Sequence, residues 1–301
     1  MTLIAVVGAT GTGKTAKSLA IADEIARLGA SAEIVNCDAM QLYRGMDIGT
    51  AKASPVERRG HPHHLLDVLE PWEDASVAAY RDAARQVVTD IERRGAVPIL
   101  VGGSGLYASS VLYDFRFPAT DAELRTELED QLDAVGPAAM HARLRALDPA
   151  AADAIGPHNG RRLVRALEAV ILTGQPFRVG LPPEDALATP TVIQHERVER
   201  AELVARLDER VVRMWQLGIV EEAHEMREAG IERGTTAQQA IGYRQALDQL
   251  DGAISEPEAI ERTQALTRRY ARRQVAWFQR YPASLPADPA ALARFALAAL
   301  A

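Results

Sequence analysis

The sequence predicts an α/β fold: a P-loop core of parallel strands with flanking helices, carrying a small all-helical insertion domain. Three observations predict it. Short apolar runs alternate with amphipathic helical segments as far as residue 117. A glycine-rich turn, Gly8 to Thr15, joins the first run to the first helix. At Phe117-Pro118 the composition turns to Ala, Glu, Arg and Leu.

Leu3 to Val7 is a short apolar run ending at Gly8, as expected of a buried parallel strand. A helix is expected from Lys14 to Leu28, closed by Gly29. Glu33 to Cys37 reads as the second strand and His64 to Leu69 as the third. Ser76 to Arg94 is helical, with apolar residues at Val77, Tyr80, Ala84, Val87, Val88 and Ile91, and Gly95 stops it. Val97 to Val101 is another buried strand, running into Gly102-Gly103. From Asp121 to Asp153 the pattern is helical, broken by Gly136-Pro137 and Asp148-Pro149. A strong helix spans Gly160 to Thr173 and ends at Gly174; Pro176 to Pro190 is a loop; Thr191 to His195 returns a strand to the sheet. From Arg200 the chain is helical almost to its end, with Ser255-x-x-Glu258 as a capping box opening the last long helix. The expected organisation is residues 1–117 as the first part of the core, 118–155 as the insertion, and 156–301 as the second part with C-terminal helices.

The 301 residues are 48% hydrophobic and 25% charged, which excludes wholesale disorder. The net charge of −7 argues against coating nucleic acid non-specifically but leaves room for a local basic patch. Cys37 is the single cysteine, so an internal disulfide framework and a Cys-rich zinc site are both excluded; it is expected to be buried and unreactive. There is no apolar run long enough to span a bilayer, and the N-terminus has neither a basic leader nor a cleavage pattern, so a cytoplasmic protein is expected. With no interface signal, a monomer is expected.

Gly8-Ala9-Thr10-Gly11-Thr12-Gly13-Lys14-Thr15 matches the phosphate loop G-x-x-x-x-G-K-S/T, between a strand and a helix as required. The glycines let successive backbone N–H groups face an anion, the helix N-terminus adds partial positive charge, and Lys14 neutralises phosphate oxygens. Thr15 is placed to hold Mg²⁺ through its hydroxyl. The loop specifies a di- or triphosphate, of which ATP is one, without saying what becomes of it. The strand Val97 to Val101 ends in Gly102-Gly103-Ser104-Gly105 with no carboxylate, which weakens a motor-type ATPase reading. Asp38 follows the second strand, at the sheet edge where ligands of open α/β sheets bind. A carboxylate there accepts a proton from a nucleophile; alternatively, it caps the segment that follows.

Beyond the loop, Asp38-Ala39-Met40-Gln41-Leu42-Tyr43-Arg44-Gly45-Met46-Asp47-Ile48-Gly49-Thr50-Ala51-Lys52 resembles D-S-M-Q-x-Y-R-x-M-D-I-G-T-A-K of the tRNA dimethylallyltransferases, also called tRNA isopentenyltransferases. His63 to Asp67 is similar to the family's H-H-L-I/L-D, and Ile99 to Tyr107 to its I-x-V-G-G-T-G-L-Y. Arg162 to Glu168, Thr173-Gly174, Ala240 to Arg244, Thr267 to Gln274 and Trp277-Phe278 continue the resemblance in the family's order. It implies a P-loop core with a helical insertion, and transfer of a dimethylallyl group from dimethylallyl diphosphate to the exocyclic amine of the adenosine 3′-adjacent to a tRNA anticodon. Diphosphate leaves, and Mg²⁺ is the implied cofactor. It also implies Asp38 as general base, with Lys14 and Ser104 at the reacting groups. It implies tRNA contacts from Asp38, Ala39, Met40, Gln41, Ser104, Arg125, Arg162, Arg165, Arg244, Arg269 and Arg273, on the anticodon stem-loop. Ala39 stands where the family has Ser, and Ser104 where it has Thr.

From Arg262 to Ala287 there is no Asp or Glu, but Arg262, Arg268, Arg269, Arg272, Arg273 and Arg280 are all present. On a helix, Arg269, Arg273 and Arg280 share a face, with Arg262 one heptad earlier. Such a stripe suits an RNA backbone; it also suits a solvated helix paired with acidic neighbours. His61, His63 and His64 lack the spacing and partners of a zinc site and are expected to pack. Trp215, Trp277 and Phe278 are expected in helix core. The competing readings are a small-molecule P-loop kinase, the same prenyl chemistry on free adenine nucleotide, and a non-catalytic RNA-binding module.

Overall fold

A computed structural model describes residues 3–114, 117–177, 187–281 and 288–298. Five parallel strands form one sheet: β1 (Leu3–Gly8), β2 (Ala32–Asn36), β3 (His63–His64), β4 (Val97–Gly102) and β5 (Thr191–Glu196), in the order β3-β2-β4-β1-β5. A parallel sheet is covered on both faces, so its strands are apolar on both sides. β1 shows this residue by residue. Leu3, Ala5 and Val7 pack with α2 (Val77–Arg93) and α3 (Gly105–Leu112), while Ile4 and Val6 face α1 (Lys14–Arg27) and the C-terminal helix Pro289–Ala298. Each of the Leu, Ile and Val side chains contributes about 1.5–3 kcal/mol of burial.

The third strand is shorter than expected. It ends at His64 because Leu65 (φ 59°) and Asp67 (φ 57°) adopt left-handed backbone, which no extended strand tolerates; Leu69 regains only an isolated bridge to Tyr43. The next loop expectation, Pro176 to Pro190, falls partly outside the described residues.

The chain divides into two compact units, Met1–Asp114 with Glu184–Ala301, and Phe115–Pro183. The second unit consists of α4 (Ala122–Leu147), α5 (Pro149–Ile155) and α6 (Gly160–Thr173) among its described residues. Gly136 (φ 76°) and Pro137 kink α4 where the sequence predicted a break. The insertion was expected to end at residue 155, but α6 belongs with it. Leu163, Val164 and Leu167 of α6 pack against Leu128, Met140 and Leu144 of α4, and only together do these helices bury an apolar face.

In the first unit α7 (Arg200–Gln216), α8 (Ile219–Glu228), α9 (Tyr243–Leu250) and α10 (Glu256–Phe278) precede the C-terminal helix, α11 (Pro289–Ala298). Ser255 and Glu258 form the expected capping box. Among the described residues no helix is long and apolar enough to cross a membrane.

Candidate active site at the carboxyl edge of the sheet

β1 turns into the glycine loop at Gly8, where φ is 149° and a Cβ would lie 2.5 Å from the Glu196 carbonyl oxygen. Gly13 (φ 89°) precedes α1, whose first turn holds neither a capping side chain nor an acidic residue. Those N–H groups face outward for an anion. Lys14 Nζ donates to the Ala9 carbonyl at 2.6 Å. Burial pulls its pKa down to about 8, with Arg210 adding to the effect and Asp38 opposing it. The Thr15 side chain lies exposed beside this turn.

Arg210, on α7, was not singled out from the sequence. It donates to Thr10 Oγ1 at 3.0 Å, while its Nε is buried without a hydrogen-bond partner. Burial holds its guanidinium below its ordinary pKa, against the pull of Asp38. The two half-buried cations thus meet at the glycine loop, one with an N–H still to satisfy.

Asp38 caps the 3₁₀ turn Ala39–Leu42, its Oδ1 accepting from the Met40 N–H at 3.0 Å. The capping role is therefore real, and it occupies one carboxylate oxygen. Asn36, nearly buried, fixes the bend: it accepts from the Asp38 N–H and donates to the carbonyls of Asp38 and Leu65. Ser104 Oγ accepts from the Ala39 N–H at 3.1 Å. Tyr270 stands close to Asp38 and Ser104; burial pushes its phenol up to about 12, with Asp38 adding to the rise. Asp38, Ser104, Lys14 and Arg210 therefore share one neighbourhood.

The sheet order explains the space between them. β4 lies between β1 and β2, so loop and carboxylate stand two strand spacings apart, about 9–10 Å. β4 ends in Gly102 and Gly103, which put no side chain into the gap. Neither position has room for one: a Cβ on Gly102 would lie 2.0 Å from the Cys37 carbonyl oxygen, and one on Gly103 would lie 2.6 Å from Gln274 Nε2.

The segment after Asp38 is held by Lys52, Gln41 and Glu222, of which only Gln41 has a role expected from the sequence. Lys52, 8% exposed, bonds the Tyr43 carbonyl at 2.8 Å and both Asp47 and Asp67 at 2.6 Å. Gln41 Nε2 donates to the Thr50 carbonyl at 3.1 Å, so its amide supports this segment. Glu222 of α8 accepts from the N–H groups of Ile48 and Gly49 and from the Tyr243 hydroxyl. Ala39 and Met40 are half-buried beside Asp38.

The arginines sort into three settings. Arg269 and Arg273 are exposed on α10, and Arg273 lies 5.7 Å from the Tyr270 ring centre. Arg262 and Arg272 are exposed as well, whereas Arg268 pairs with Asp208 at 2.5 Å. The expected four-residue stripe is cut short: α10 ends at Phe278, so Arg280 lies beyond it and is partly buried. A cavity of about 450 Å³ between α7 and α10 has Leu203, Val204 and Leu207 on its floor and Arg268, Arg269 and Arg272 among its lining. Arg244 is exposed and pairs with Asp248 at 3.3 Å. In the second unit Arg162 is exposed, but Arg125 and Arg165 both pair with the fully buried Glu168.

The histidines have partners that the local sequence did not reveal: His61 meets Asp23 at 2.8 Å and His64 meets Glu33 at 2.6 Å. Trp215 and Phe278 are buried and Trp277 is half-buried, packed over Gly105.

Residues 41–281 match the family model described as IPP transferase. The chain is 57% identical to the tRNA dimethylallyltransferase of Clavibacter sepedonicus over 95% of its own length and 93% of that protein's. The crystal structure of the full-length tRNA isopentenylpyrophosphate transferase from Bacillus halodurans is similar, with TM-score 0.67 and 37% identity over 99% of this chain and 96% of that one. So is a eukaryotic dimethylallyltransferase acting on tRNA, with TM-score 0.76 and 28% identity over 92% of this chain and 70% of the other. With its motifs in the family's order and its glycine loop and Asp38 on one sheet edge, the chain belongs to the IPP transferase family, the enzymes named tRNA dimethylallyltransferases.

Proposed function

We propose that the chain transfers the dimethylallyl group of dimethylallyl diphosphate to the exocyclic amine of the adenosine 3′-adjacent to a tRNA anticodon, releasing diphosphate. One observation carries this reading. An anion-accepting loop with two half-buried cations shares its sheet edge with a carboxylate, and the strand between them ends in glycines that put no side chain there. That spacing suits a donor held by its diphosphate at one side and an acceptor amine at the other.

In the reaction the allylic C–O bond breaks and an N–C bond forms. The backbone of Gly8, Ala9, Thr10, Gly11, Thr12 and Gly13, the first turn of α1, Lys14 and Arg210 face the oxygens on which charge develops. Asp38 takes the amine proton on the oxygen that the cap leaves open. Ser104 aligns the acceptor, and the buried tyrosines near Asp38 keep water from the allylic carbon.

Mg²⁺ fits this donor set. The Thr15 hydroxyl lies next to the anion cradle, and among the described residues no cluster of His, Cys, Asp or Glu competes for a softer metal. When bound, the ion supplies charge neutralisation on the diphosphate. The acceptor base must leave its stack, at a cost of a few kcal/mol, and recognition rests on loop shape and extruded bases. Met40, Gln41, Arg162, Arg244, Arg269 and Arg273 are the proposed tRNA contacts, with the exposed edges of Arg125 and Arg165, and the enzyme acts as a monomer.

The test is incubation with radiolabelled dimethylallyl diphosphate, Mg²⁺ and undermodified bacterial tRNA, with free AMP in parallel. Label in tRNA alone is expected. Label in AMP moves the acceptor to free nucleotide, and no label with ATP consumed returns the chain to the kinase class.

A further inference from the structure

α10 presents its arginines to solvent and turns one polar side chain inward. Gln274 is 5% exposed. Its Oε1 accepts from the Thr10 N–H at 2.9 Å, and its Nε2 donates to the Gly103 carbonyl at 2.7 Å. The partners fix the orientation of the amide, since a backbone N–H needs an acceptor and a carbonyl needs a donor.

Thr10 belongs to the loop after β1 and Gly103 to the turn after β4, the neighbouring strand. One side chain therefore ties together the two turns that flank Lys14. Each turn carries a group at the site. Thr10 holds Arg210 through its hydroxyl, and Gly103 leads directly into Ser104, which holds the Ala39 N–H beside Asp38. The fit is close on every side: a Cβ at Gly103 would lie 3.1 Å from the Gly8 carbonyl oxygen and 3.5 Å from Lys14 Nζ.

We propose that Gln274 is a positioning residue for group transfer, setting the separation between the Thr10–Arg210 pair and the Gly103–Ser104 turn. It touches neither donor nor acceptor. It acts through two backbone groups that no nearer side chain satisfies. Losing it strands a half-buried N–H and a buried carbonyl, and a shift of about 1 Å between reacting groups costs about a hundredfold in rate. The kinetic consequence rests on the transfer reading given above; the clamp itself does not.

The test compares Gln274→Met and Gln274→Glu with wild type. In Gln274→Met, hydrogen–deuterium exchange in the peptide containing Thr10 is expected to accelerate about tenfold or more. Turnover at saturation is expected to fall by about 10- to 100-fold, with KM for tRNA within about threefold of wild type. Gln274→Glu keeps the acceptor for Thr10 and loses the donor to Gly103. As pH falls and its carboxyl protonates, the O–H restores that donor, so its turnover relative to wild type at the same pH is expected to recover. A role in packing alone predicts no such recovery. Unchanged exchange at Thr10, unchanged saturated turnover, or a loss confined to KM for tRNA overturns the proposal. Should Gln274→Met fail to fold, the pH response of Gln274→Glu decides. If wild type transfers no label, the transfer reading fails, while exchange at Thr10 still decides the clamp.

Discussion

Cations in this chain live in two contrasting settings. Lys14 and Arg210 are half-buried at the glycine loop with a carbonyl and a hydroxyl as their hydrogen-bond partners. Arg125 and Arg165, in the other unit, share one buried carboxylate, that of Glu168. A neutral partner leaves the positive charge uncompensated, so it is available to an incoming anion. The shared Glu168 carboxylate offsets one of the two positive charges and fixes both guanidinium groups to the structure. The sequence shows the same residue types in both places, and only the partner distinguishes an anion site from a structural ion pair.

The largest expected effect concerns the carboxylate that faces the uncompensated pair. Asp38→Asn keeps the cap, and therefore the fold and tRNA affinity, but turnover falls by about 10²-fold or more in single-turnover transfer. Equal turnover in the two proteins would remove Asp38 as the base. Next is the other setting. Glu168→Ala leaves two half-buried guanidinium groups without their carboxylate, a loss of about 3 kcal/mol, read from urea unfolding. A loss under about 0.5 kcal/mol would mean that Glu168 does not hold these two guanidinium groups in place, and the contrast between settings would collapse.

Arg269 and Arg273 are a third case, exposed and without a carboxylate partner among the described residues. Reversing both to Glu is expected to weaken tRNA binding and to reduce the slope of log affinity against log salt by about 2. An unaltered slope would turn this face of α10 away from the polyanion. The smallest effect is the pH dependence of diphosphate affinity. Lys14 is charged below about pH 8 and neutral above it, so affinity is full below that value and declines as pH rises through it. Calorimetry in buffers of different ionisation heat would show proton uptake on binding near pH 8, because the bound anion raises the Lys14 pKa. Flat affinity across that range would mean that Lys14 keeps its charge without help.

Features built from neighbours in sequence were legible in it. The helix Gly160–Thr173 was placed to the residue because Gly174 supplies the left-handed stop (φ 62°). The glycine loop was placed because strand, turn and helix follow one another within a few residues. What could not be read joins distant segments. Lys52 has partners at Tyr43, Asp47 and Asp67; Arg210 reaches Thr10; Gln274 reaches both Thr10 and Gly103. No local period marks such a residue, since a polar position on an amphipathic helix reads as solvent-facing until a partner is known. The third strand misled for the opposite reason. His64 to Leu69 has strand composition, but Leu65 and Asp67 take left-handed backbone, where Asn36 holds the Leu65 carbonyl and Lys52 pairs with Asp67.

Cys37 is wholly buried, and burial pushes its thiol up to about 12. At pH 8 only about one thiol in ten thousand is then a thiolate, so the closed protein is inert to alkylation on two counts. As the single cysteine of the chain, next to Asp38 and under the Gly102 turn, it is a built-in reporter. Its labelling rate measures how often this edge of the sheet opens, and a ligand that holds the edge shut slows that clock by the factor with which it binds.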